Sequence, residues 1–161
     1  MEQVRDSLSA RSLRKYLKLL PDFDDIEAED KAIEIAENHP HMGAVISFLV
    51  GWPRHDRAAR IVTVRADELD GNAYHLLSDA ADTLEAKHPL AATLMRRAMI
   101  EDTLDGAKAT RYRHAARHLA ECQSSQPAID DYTGFPTHEQ FVSALKQRHG
   151  RKYGFWQLVE G

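Results

Sequence analysis

The chain has 161 residues, 43% of them apolar and 29% charged, with a net charge of −4, which suffices for one sizeable core in a single domain. No apolar run approaches the length of a membrane span, and the N-terminus MEQVRDSLSARSLRK lacks the apolar stretch of a secretory signal; this predicts a cytoplasmic protein with no membrane partner. Cys122 is the only cysteine, so internal disulfides and multi-cysteine zinc modules are excluded.

Charge is unevenly spread. Residues 1–85 carry 10 basic and 17 acidic side chains, and residues 86–161 carry 11 and 8. The resulting +3 of the second part does not by itself imply nucleic acid.

In chain order, residues 7–20 read as a basic amphipathic helix with Leu8, Leu13, Tyr16, Leu17 and Leu20 inward, closed by Pro21. The acidic run after it, from Asp22 to Asp30, suits the capping and first turn of a helix over Ile26 to Asn38. A divalent-metal site is the sharper alternative for those carboxylates. Beyond His39-Pro40 a helix runs through Val45, Ile46, Phe48, Leu49 and Val50 to Gly51, where Trp52-Pro53 breaks it. Further helices are expected from about His55 to Leu69 and from about Ala73 to Lys87, separated by the turn Asp70-Gly71-Asn72.

From His88 to Cys122 the pattern predicts a helical hairpin. Pro89 opens its first helix, with Leu90, Ala91, Leu94, Met95, Ala98, Met99 and Leu104 at helical spacing, and Gly106 stops it. The second carries Tyr112, Ala115, Ala116, Leu119 and Cys122 on one stripe, with Arg113 and Arg117 on the opposite flank. One helical turn is expected at Ala128 to Tyr132. Thr137 and Gln140 form a capping box for a helix ending at Gly150, with Phe141, Val142 and Leu145 inward. The tail RKYGFWQLVEG is too apolar, at Phe155, Trp156, Leu158 and Val159, to be left free, and should dock on the last helix pair.

The chain also repeats itself. Acidic residues precede both His39-Pro40 and His88-Pro89, an apolar helix follows each, and R-x-x-x-A-A-R recurs at Arg54–Arg60 and Arg111–Arg117. Helices repeating without strand signals predict an all-α fold of stacked antiparallel αα hairpins in one domain. Its approximate units are an N-terminal helix pair over residues 7–38, a first hairpin over 40–69, a helix plus second hairpin over 73–122, and a C-terminal helix with docked tail over 137–159.

The runs LPDFDDIEAED, ISFLVGWP, HPLAATLMRRAMI, RYRHAARHLAEC and HGRKYGFW resemble an uncharacterised bacterial family, classed as a domain of unknown function with TPR-like helical repeats. The likeness extends from about Ser12 to Leu158. More remotely, the basic and aromatic tail is similar to the ends of helical regions in SWIM zinc-finger proteins, whose cysteine-rich motif this chain lacks. The resemblance implies a fold and no assigned activity, so it brings no catalytic residues.

Three functional readings follow. As a non-enzymatic interaction module, the fold would present Arg57, Arg60, Arg113 and Arg117 to carboxylates of an unknown protein or peptide. As an RNA or single-strand binder, it would use Arg111, Lys146, Arg148, Arg151 and Lys152 with Tyr112, Tyr153 and Trp156. As a histidine- or metal-dependent enzyme, it would use His114, His118 and Cys122, which recur every four residues along one helix edge. A core cysteine flanked by surface histidines is the plainer account of that last set. His39 and His88 are expected to shape helix starts. No HExxH, G-x-S-x-G, P-loop or dinucleotide signature occurs, and no cofactor is implied.

Overall fold

A computed structural model describes residues 25–52 and 54–161. The expected helix over residues 7–20, and Asp22 and Asp24 of the acidic run, lie outside them. Among the described residues the fold is all-α, with eight α-helices and no strand. They form two compact units, one up to Glu68 and one from Leu69 to Gly161.

The first unit contains α1 (Asp25–Glu37), α2 (Met42–Gly51), α3 (His55–Val64) and a 3₁₀ turn at Ala66–Glu68. Its core gathers Ile33 and Ala36 of α1, Val45, Ile46 and Leu49 of α2, and Ala58 and Val62 of α3, the apolar stripes that the sequence periodicity marks. Trp52 Nε1 donates to Glu29 (2.8 Å), which sets the end of α2 against the start of α1 in antiparallel packing. The cap of α2 is His41, whose Nδ1 accepts from Ala44 N–H at 3.1 Å. His39 acts one step earlier, its Nδ1 accepting from His41 N–H at 3.0 Å.

Helix α3 ends at Val64 rather than near Leu69. The next residue, Arg65, turns back to donate to the carbonyls of Glu37 (2.8 Å) and His39 (2.9 Å). A cation there satisfies the exposed carbonyl end of α1, which has no basic residue in its own last turn.

The second unit contains α4 (Tyr74–Leu84), α5 (Pro89–Asp105), α6 (Tyr112–Ser125), α7 (His138–His149) and α8 (Tyr153–Glu160). Helix α5 packs against both α4 and α6. The α4–α5 pair is antiparallel: only residues 85–88 join the two helices, and Gly71, before α4, abuts Ala98 and Asp102 in the second half of α5. A Cβ on Gly71 would sit 2.0 Å from the Ala98 carbonyl oxygen, so only glycine permits this approach.

Ile100, Leu104, Ala115, Leu119, Cys122, Phe141, Leu145, Phe155 and Trp156 form one buried cluster. Thus Phe141 and Leu145 bring α7 onto the hairpin. The tail forms α8 and packs on α6, with Trp156 Nε1 donating to the His149 carbonyl at 2.9 Å. The capping box of α7 is complete, Thr137 and Gln140 each satisfying the other's backbone. The expected turn at Ala128 to Tyr132 falls instead at Gln126–Ala128, because Pro127 prolongs the helical geometry of α6 by one tighter turn.

Candidate functional site: a groove and a polar relay on the second unit

Helices α6, α7 and α8 enclose a groove of about 720 Å³. Leu119, Val142, Trp156, Leu158 and Val159 give it an apolar lining, and Arg113, Arg117 and Lys146 supply cations, with Glu139 and Glu160 as the acidic residues. The helical register accounts for this. Arg113 and Arg117 lie one turn apart on the flank of α6 opposite its core stripe, and both are exposed, Arg117 to 57%. Lys146 lies over the Trp156 ring at 5.4 Å, so its ammonium is held at the groove edge by cation–π attraction. Leu158, 47% exposed, leaves the apolar surface open. Arg113, Arg117 and Lys146, which the sequence suggested for two different functions, therefore border one groove.

The other arginines of the expected binding row are engaged differently. Arg57 and Arg60 both donate to Glu37, a carboxylate only 7% exposed, with Arg60 at 3.1 Å. They hold α3 to the end of α1. Of the basic residues in the nucleic-acid set, Arg148 pairs with Asp105 (2.8 Å), Lys152 meets His149 Nδ1 (3.0 Å), and Arg151 is exposed.

His114, His118 and Cys122 do not converge. Cys122 is buried and its Sγ contacts the Thr93 carbonyl at 3.9 Å. Burial pushes its thiol pKa up to about 12, which keeps it protonated and inert. His114 packs its ring against Tyr74, centroids 5.4 Å apart. His118 is buried rather than a surface histidine, because Tyr74 and Glu121 satisfy both ring nitrogens. Among the described residues no group of three or more His, Cys, Asp or Glu side chains could hold a metal ion. Glu29 and Asp30 of the acidic run face Arg54, at 3.7 and 3.8 Å.

Periodicity alone did not reveal the polar relay around His118. Glu121 Oε1 lies 3.0 Å from Nδ1, and the Tyr74 hydroxyl 3.1 Å from Nε2. A carboxylate accepts only, so Nδ1 carries the proton and Nε2 accepts from the Tyr74 O–H. Arg117 Nη2 donates to the same hydroxyl at 3.3 Å. Burial, the largest influence, holds the His118 pKa below the ordinary histidine value despite Glu121. The other oxygen of Glu121 forms an ion pair with Arg96 at 3.2 Å. The i, i+3 spacing of His118 and Glu121 was legible in the sequence, whereas the 44 positions separating Tyr74 from His118 left no local signal.

Neither a curated protein nor a solved structure matches this chain. The DUF6880 family, a family of unknown function, matches residues 1–158, and the chain belongs to it.

Proposed function

We propose that this protein is a non-enzymatic helical-repeat module of the TPR-like kind, acting in the bacterial cytoplasm, whose α6–α7–α8 groove takes an acidic amphipathic segment of a partner protein. The observation that carries this reading is the pairing of an open apolar lining with Arg113, Arg117 and Lys146 at one groove. Such a surface suits a helix with apolar anchors and carboxylates beside them. Arg57 and Arg60, engaged by Glu37, add nothing to it.

RNA is the second reading, supported by Tyr153, 75% exposed next to Arg151 and Lys152. The test is affinity capture from lysate with and without nuclease treatment, comparing wild type with Arg113→Glu/Lys146→Glu. Partners retained by wild type and lost by the variant are then bound as purified peptides. The proposal expects an acidic peptide whose affinity falls at least about ten-fold on charge reversal, the effect of losing charge-assisted contacts. Capture that disappears on nuclease treatment would overturn it in favour of RNA.

A further inference from the structure

Cationic side chains near the start of α4 donate to oxygens that carry no net charge. Lys108 Nζ and Arg111 Nη1 both donate to Asn72 Oδ1, each at 3.1 Å. Two residues on, Arg117 Nη2 donates to the Tyr74 hydroxyl. A carboxamide or phenol oxygen is a poor match for guanidinium and ammonium groups, which bind anionic oxygens about twice as strongly.

The carboxylates nearby neutralise this cluster only in part: Asp70 Oδ1 accepts from the Asn72 N–H at 3.0 Å. Asp102 serves Lys108 at 2.7 Å. Glu121 is 3.8 Å from Arg117 but is already engaged by Arg96 and His118. Arg111 has Asn72 as its side-chain acceptor and makes no ion pair among the described residues. The first intrahelical bond near this point runs from Leu77 N–H to the Ala73 carbonyl at 3.0 Å, and Ala73 supplies no side-chain cap. The amides of Tyr74, His75 and Leu76 thus add partial positive charge beside the cations.

We infer that Lys108 and Arg111, around Asn72 at the start of α4, form a binding site for a phosphomonoester, whose phosphate replaces Asn72 Oδ1 as their shared acceptor. A monoester dianion offers two charges over three terminal oxygens to Lys108, Arg111 and the free amides that open α4. A diester offers one charge over two oxygens and leaves a donor unmatched. Asn72, Lys108 and Arg111 lie outside the groove lining, so this site stands apart from the peptide reading; Arg117, which lines the groove, is kept in the test variants.

The experiment titrates the ¹⁵N-labelled full chain with inorganic phosphate, 5′-AMP and 3′,5′-cyclic AMP at matched ionic strength, following amide shifts. Phosphate and AMP should give saturable shifts centred on residues 72–76 and 108–118. Cyclic AMP, with the same base but a diester, should bind at least about ten-fold more weakly, as should phosphate to Lys108→Gln/Arg111→Gln. The charge-preserving Lys108→Arg/Arg111→Lys should retain binding within a few-fold, and together with the AMP comparison it decides the matter if the neutral variant does not fold. Shifts reproduced by chloride, or equal affinity for AMP and cyclic AMP, would overturn the site. The second of these results would point to phosphodiester backbones instead.

Discussion

Arg96 and Arg97 are sequence neighbours on α5 and both are buried, yet they are neutralised differently. Arg96, 0% exposed, reaches Asp82 and Glu85 at 2.9 Å and Glu121 at 3.2 Å. Arg97 donates to the Pro136 carbonyl at 2.8 Å and lies over the rings of Phe141 and Tyr132, at 4.6 and 5.5 Å. Burial without a carboxylate lowers its pKa. Removing a paired buried cation sacrifices charged hydrogen bonds, whereas removing an unpaired one also removes a desolvation cost. Arg96→Met should therefore lower stability by about 2–3 kcal/mol, and Arg97→Met should stay within about 1 kcal/mol of wild type. Denaturant unfolding of the two variants checks the difference.

A second expectation at this scale concerns pH. His118 packs among Glu121, Arg117, Arg96 and Tyr74, and burial holds its pKa below the usual value; burial does the same for His138 and His149. The unfolded histidines take up protons near pH 6.5, the folded ones only at lower pH. In that window the unfolded state binds more protons, so stability, fully present above pH 6.5, falls as pH drops through it. Unfolding midpoints between pH 7.5 and 5 should show this decline, and His118→Gln should make it shallower. A midpoint independent of pH would count against burial of these rings.

At the scale of the element, the α5 terminus is set by a residue that the sequence does not advertise. Gly106 is the obvious stop, yet it has a right-handed backbone, and Ala107 takes the left-handed conformation at φ 49°. The bonds from Lys108 N–H to Thr103 O (2.9 Å) and from Ala107 N–H to Leu104 O (3.1 Å) complete a Schellman motif. An L-residue in that conformation costs about 1–2 kcal/mol. Ala107→Gly should relieve part of this and stabilise the protein by about 0.5–1 kcal/mol, measurable as a higher unfolding midpoint with an unchanged denaturant slope. The same turn sends Lys108 and Arg111 toward Asn72, so the helix end also shapes the proposed phosphate site.

At the scale of the molecule, the division at Leu69 separates two sets of helices, each with its own buried residues. The second unit owns the nine-residue cluster from Ile100 to Trp156, the groove and the cation cluster. Residues 69–161 expressed alone should therefore unfold in one cooperative thermal transition, with a near-ultraviolet spectrum that reports packed Tyr112 and Trp156. A broad, non-cooperative melt would contradict that expectation. Charge is likewise a property of the folded unit. The +3 of residues 86–161 overlooks Asp82 and Glu85, which the fold brings onto Arg96.

What the sequence determined by itself is local. Apolar stripes every three to four residues, the Thr137–Gln140 box, the Pro89 helix start and the apolar tail specified the helices and their inward faces, because each signal is complete within one or two turns. Only the tertiary structure decided which polar groups meet. It gave Arg57 and Arg60 to Glu37, Arg65 to the end of α1, and the Tyr74 hydroxyl to His118, across separations of 20 to 44 positions. Helical periodicity selects a face, whereas long flexible side chains choose among the acceptors that folding brings within reach. Hence Arg113 and Arg117 could be read as exposed from spacing alone, while the groove they share with Lys146 could not.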